Sequence, residues 1–360
     1  MPQHEFPCKQ CGAKMEFDPA ASSVKCPYCG HENPIPKSEE DINELDFHSF
    51  FTSAEEGEQS EESLTVKCSA CGAETTLNAN ITSDECPFCG AAVVVEATAS
   101  TRIRPRSLLP FAIDRSKALQ EFKSWVKGLW FAPNKLKAYA RTESSHLSGM
   151  YVPYWTYDAD TTSFYTGQRG EHYYVTETYT TTEDGKAVTK TRQVRKTRWY
   201  PASGVVYNSF DDILILASHS LPKKQADRLE PWDLAELVPY DAGYLSGFRT
   251  ESYQVSLEEG MSEASEIMDK EIRRDVKRDI GGDEQRVHSV STQHDNVTFK
   301  HILLPIWISA YKYRDKTYRF LVNARTGEVQ GERPWSWIKI GLLAVSVAAL
   351  VGTIVFFANK

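Results

Sequence analysis

EHYYVTETYTTTEDGKAVTKTRQVRKTRW, residues 171–199, alternates β-branched and aromatic side chains with polar ones on both sides of a single Asp-Gly step. Alternation of period two is the pattern of a strand, and Asp184–Gly185 is a favoured two-residue hairpin turn because both positions tolerate positive φ. If that turn sets the register, Glu177 faces Arg192, an attractive cross-strand pair. The stretch predicts antiparallel sheet at the centre of the chain, hence an α+β domain.

Elements on either side agree with that class. RIRPRSLLPF, 102–111, enters extended, since Pro105 and Pro110 disfavour helix before them. A helix is expected from Asp114, a plausible N-cap, to the region Gly128–Pro133, with Leu119, Phe122, Trp125, Val126 and Leu129 on one face. DDILILAS, 211–218, reads as a buried strand. A longer helix starts at Ser256, where Glu259 completes a capping box, and runs its apolar face through Met261, Ala264, Met268, Ile272 and Val276. Gly281–Gly282 end it. YVPYWTYDAD (151–160) and LLPIWISAYKY (303–313) share a Pro-x-Trp, which duplication and convergence explain almost equally well.

All eight cysteines lie in the first hundred residues. Cys8 and Cys11 are followed after fourteen residues by Cys26 and Cys29, and Cys68 and Cys71 by Cys86 and Cys89 at the same interval. Two residues between cysteines let both sulfurs of one turn reach a single ion, and the intervening residues allow a hairpin that brings the second turn to face the first. Gly12, Gly30, Gly72 and Gly90 follow the pairs, where the turn requires positive φ. The expectation is two closed four-thiolate zinc ribbons, one Zn2+ each, with iron the alternative occupant. Sites with four protein ligands and no open position are structural rather than catalytic.

The formal net charge is −8, yet residues 1–100 hold five Lys, no Arg and eighteen acidic residues. Segment 39–62 carries ten acidic residues and no Lys or Arg. It reads as a mostly disordered linker, except that Leu45, Phe47, Phe50 and Phe51 mark a short helix, folding back on the chain or docking on a partner. An acidic neighbourhood repels a phosphate backbone, which makes nucleic-acid binding by the ribbons the lesser alternative. The basic arm of the hairpin, Lys186, Lys190, Arg192, Arg195, Lys196 and Arg198, is the candidate for contact with an anionic surface. A solvated edge, or pairing within the chain, is the plainer alternative.

Ile340–Ala358 is nineteen residues without a charge. As a helix it spans about 28 Å, the thickness of a bilayer's hydrocarbon core. Trp335 and Trp337 precede it at the height of an aromatic belt. Arg325, Arg333 and Lys339 lie before the span and only Lys360 after it, so the bulk of the chain is expected in the cytoplasm. Reduced, metal-binding cysteines fit that compartment. The expected order is zinc ribbon 1 (1–36), acidic linker (37–63), zinc ribbon 2 (64–98), α+β domain (101–334) and transmembrane helix (338–359). No His-Glu-x-x-His, Gly-x-Ser-x-Gly or Walker A loop occurs, so no catalytic motif is found.

The two cysteine quartets, Pro-Tyr-Trp at 153–155, Leu-Pro-Ile-Trp at 304–307, VNARTGEVQGERP at 322–334 and the apolar C-terminal segment together resemble a known family. It is that of bacterial tail-anchored double zinc-ribbon membrane proteins, which carry labels such as TFIIB-type zinc ribbon and primosomal protein N′-like. A helicase activity is rejected, because the phosphate-cradling loops it needs are missing. The resemblance implies a membrane-anchored adaptor linked to envelope stress, with phage-shock-protein-A-like and SPFH-like proteins as partners.

Overall fold

A computed structural model describes residues 7–36, 42–52, 60–76, 83–94, 97–142, 147–183, 186–313 and 316–358. Three very long strands dominate it: β1 (Ser148–Glu183), β2 (Lys186–Leu216) and β3 (Glu284–Tyr313). β1 lies between the other two and is antiparallel to both. Glu183 pairs with Lys186 and Glu177 with Arg192, the register the sequence predicts, although Asp184–Gly185 themselves lie outside the described residues. β3 turns back into β4 (Lys316–Asn323), and β5 (Val329–Gly331) completes that edge. The fold is α+β.

Because alternate side chains leave a strand on opposite sides, the sheet has two differently used faces. Tyr151, Trp155 and Tyr157 of β1, with Phe299, Leu303 and Trp307 of β3, form the first. Helix α1 (Arg115–Gly128) covers one end of it through Ala118, Phe122 and Val126, with Leu119 and Trp125 half-buried beside them. Asp114 caps α1, its carboxylate accepting from Lys117 N at 2.7 Å. A second helix, α2 (Asn134–Thr142), follows. The other end is covered by α3 (Leu257–Ile280), which begins at the expected capping box and buries Ala264, Met268, Ile272 and Val276 before Gly281 stops it. The second face, Met150, Val152, Tyr154, Ile302, Leu304 and Ile306, is buried under the region of Cys68–Cys89 and the segment around Leu221–Trp232.

Val152 pairs with Leu304, and Pro153 with Leu303 as Tyr151 does with Pro305, so a local two-fold relates the two Pro-x-Trp segments. The relation extends to side chains. Trp155 Nε1 donates to Val255 O at 3.0 Å, and Trp307 Nε1 to Ile113 O at 2.9 Å. Those carbonyls belong to the residues just before the caps of α3 and α1, so each tryptophan holds the start of the other segment's helix.

Within the acidic segment, the part marked by Leu45, Phe47, Phe50 and Phe51 holds the expected short helix. Leu45–Asp46 pairs with Phe299 and Thr298 of β3, and Phe47–Thr52 is helical. Phe50 is 2% exposed and stacks edge-on to Phe299 at 5.2 Å. Aromatic burial and one ion pair outweigh the linker's polarity here, and the fold-back alternative is the one taken. Ser60–Lys67 pairs with Ala97–Ile103, so the sheet around the second cysteine quartet begins before residue 64.

Beyond Gly170 and Glu284, β3 ends and β1 and β2 continue alone as a two-stranded arm. At the opposite end of the sheet the chain leaves through α4 (Trp337–Ala358). Among the described residues it is the one helix long and apolar enough to cross a membrane, and none of it is buried.

Candidate metal centres

All four cysteine turns are built alike. The first cysteine of each pair accepts from the following glycine's N–H and donates to the next carbonyl: Gly12 N to Cys8 O at 2.8 Å and Cys8 N to Ala13 O at 2.7 Å in the first, with equivalents at Cys26, Cys68 and Cys86. That closure needs φ near +70° at Gly12, Gly30, Gly72 and Gly90, where values run from 69 to 77°. Short hairpins, Glu16–Asp18 with Ser23–Lys25 in the first quartet, bring opposing turns together.

The sulfurs converge into two groups, Cys8, Cys11, Cys26 and Cys29, and Cys68, Cys71, Cys86 and Cys89, each with its ligand atoms within 4.8 Å of one another. Closest sulfur pairs are 3.5 Å apart in the first group and 3.6 and 3.7 Å in the second. Metal–sulfur bonds of about 2.3 Å in a tetrahedron place sulfurs about 3.8 Å apart, so a slight expansion accommodates one ion in each group. Backbone N–H groups aimed at the sulfurs favour thiolates: the N–H of Cys29, foremost, draws Cys26 down to about 6. Burial pushes the Cys86 thiol up, a cost that a bound cation offsets.

The two quartets are seated differently. In the second, Phe88 of CPFCG is 0% exposed, packed into the second sheet face, with Arg319 Nε donating to its carbonyl at 2.7 Å. Gln254 Nε2 donates to Gly72 O at 3.0 Å and Ser252 N to Glu74 O at 3.0 Å. In the first, Tyr28 holds the corresponding place in CPYCG and is 83% exposed. That ribbon rests on the domain by its hairpin instead: Phe17 packs against Tyr244 and Phe248, and Ser246 Oγ donates to Met15 O at 2.6 Å. Sequence reading could not tell these near-identical turns apart.

The basic arm residues share one ladder but are partly neutralised within it. Lys190 pairs with Glu183, Arg192 and Lys196 with Glu177 at 3.3 and 3.1 Å, and Arg198 lies over the Tyr173 ring. Lys186 stands opposite Glu183, and Arg195 faces Tyr174. All six sit at the end of the sheet remote from α4, a placement that lends the anionic-membrane reading no support.

Two polar groups that sequence reading missed lie beside Thr76 and Arg102, where strands from the second ribbon's sheet meet the domain. Glu251 is 1% exposed; its Oε1 accepts from Ser218 at 2.7 Å and its Oε2 has no partner among the described residues. Burial raises it to about 8. His301, whose Nδ1 is 2.9 Å from Ile103 O, is pushed down to about 4 by burial and stays neutral. Both line a cavity of about 150 Å³ with Arg102 and Tyr253. A cluster of three carboxylates, Asp158, Asp211 and Asp212, is met by Lys300, 2.9 Å from both Asp212 and Glu44. This ion-pair network ties residue 44 to the sheet.

No family model matches the chain, and no solved structure matches it. Among curated proteins, the uncharacterized protein YdjG of Bacillus subtilis (strain 168) is 27% identical over 337 residues, covering 93% of this chain and 91% of the relative.

Proposed function

We propose that this chain is a membrane-anchored zinc-ribbon adaptor whose first ribbon recruits a cytoplasmic protein partner. One observation carries the reading. The same cysteine turn occurs twice, and one copy is a plug already seated, with Phe88 in an apolar sheet face and Arg319 at the rim. The other copy offers Tyr28 to solvent at 83% exposure. The partner chemistry this implies is an apolar recess with a guanidinium at its edge. The metal is zinc in both sites, since closed four-thiolate tetrahedra favour it. The resemblance to double zinc-ribbon membrane proteins makes phage-shock-protein-A-like and SPFH-like proteins the first partners to try.

A photo-crosslinking residue at position 28 of the full-length chain, expressed in intact cells, tests this. The expected result is a discrete protein adduct that maps beside an arginine on the partner and disappears with Cys29→Ser. Adducts no different from those at Tyr207, an exposed site on the sheet, would overturn it, as would adducts to nucleic acid. Protease added to spheroplasts should leave the ribbons intact; cleavage within them reverses the assigned topology.

A further inference from the structure

The loop between α1 and α2 carries Trp130, 82% exposed. It is not an isolated surface residue. Phe131 O accepts from Ser336 N at 2.8 Å, and Ala132 O from Lys339 Nζ at 2.7 Å, so the loop flanks the first turn of α4. Phe131 and Trp335 rings lie 6.3 Å apart. Trp335 and Trp337, 49% and 76% exposed, continue the same aromatic surface. Cations surround it: Lys127 in the last turn of α1 and Lys135 in the first turn of α2 are exposed, and Arg333 lies 4.3 Å over the Trp335 ring.

We infer that the Leu129–Pro133 loop is a second membrane-contacting element, inserting Trp130 into the headgroup layer beside the anchor. The headgroup layer is roughly 5–8 Å thick on each side, and tryptophan prefers it because its ring is apolar and its N–H needs a partner. The hydrogen bond to Ser336, one residue before α4, holds the loop at the depth of the anchor's own aromatic belt. Lys127 and Lys135 then meet anionic headgroups. Two contacts fix the orientation of the domain on the bilayer, which a tether alone does not. The β3–β4 end of the sheet faces the lipid, since Tyr139 of α2 bonds Ser309 and Ala310 there, and the two-stranded arm leaves from the far end.

The inference rests on α4 spanning the membrane, and the test separates the two. Full-length protein is reconstituted at one chain per nanodisc in mixed phosphatidylcholine and phosphatidylglycerol, with or without bromine high on the acyl chains. Tryptophan quenching is compared between wild type and Trp130→Phe. With Trp130, Trp335 and Trp337 at the interface, the substitution should remove roughly a third of the bromine-quenched signal. Lys127→Glu with Lys135→Glu should reduce the Trp130 contribution in anionic discs while leaving the protein incorporated. An unchanged quenched signal in Trp130→Phe, from protein that resists carbonate extraction, overturns the loop insertion and leaves the anchor standing. Protein that never enters discs overturns both.

Discussion

Phe88→Ala and Tyr28→Ala make the same kind of change at twin positions of two cysteine turns, and the structure assigns them opposite consequences. Phe88 is 0% exposed and its ring fills the second sheet face. Burying a phenylalanine removes about 150–250 Å² from water, worth about 4–6 kcal/mol, and truncation in a packed site costs about 3–5 kcal/mol. Tyr28 is 83% exposed, where a substitution moves stability by about 0.5 kcal/mol or less. Ribbon 2 is held to the sheet by Phe88, so the cost appears as local opening. A loss of about 3 kcal/mol accelerates exchange by roughly two orders of magnitude. Hydrogen exchange of the metal-loaded, detergent-solubilised chain should therefore show that acceleration over 65–76 in Phe88→Ala. In Tyr28→Ala, segment 13–26 should change by about twofold or less. Both variants keep eight cysteines and should retain two ions, which elemental analysis checks. Equal acceleration in the two ribbons, or unchanged protection in Phe88→Ala, would refute the asymmetric seating.

Other consequences are as direct. Glu251 is held near 8 in the fold, above its unfolded value, so the folded state retains a proton the unfolded chain loses; stability present at pH 4 is lost as pH rises towards 8. Glu251→Gln should relieve that loss, gaining roughly 3 kcal/mol over wild type at pH 7 and little at pH 4, in parallel thermal unfolding at the two pH values. Gly260 sits where a Cβ would collide with the Tyr157 hydroxyl and meet Trp155 Cδ1 at 3.0 Å. Gly260→Ala should cost about 1–3 kcal/mol despite the better helix former, read as a lowered midpoint in urea. Metal release by a thiol-reactive mercurial should be biphasic. The ribbon 1 ion leaves first because Cys11 and Cys29 are exposed, whereas Cys71 and Cys89 are half-buried under the domain. Cys29→Ser should abolish the fast phase alone, monitored with a colorimetric zinc indicator.

Several features were readable because their determinants are neighbours along the chain. The Cys-x-x-Cys-Gly turns, the Ser256–Glu259 box, the Asp114 cap and the Glu177–Arg192 pair each follow from residues a few positions apart or from a turn of known length. Phe50 shows where such reading stops. Its apolar neighbours mark a short helix within an acidic segment and leave open whether it folds back or meets a partner; Phe299, far along the chain, gives its ring a site, and Lys300 gives Glu44 a counter-charge.

The sequence by itself determined the α+β class, two four-cysteine groups and one apolar helix of membrane length, because spacing and periodicity are local codes that need no knowledge of the rest of the fold. Only the tertiary structure decided that Phe88 of CPFCG is buried while Tyr28 of CPYCG is exposed, that residues 151–160 and 303–313 meet about a two-fold, and that Trp130 stands beside the apolar helix. Each of these depends on which surface a segment meets after the chain has turned back on itself. Burial free energy belongs to such pairs of distant surfaces, and neither member carries its partner's identity in its own sequence.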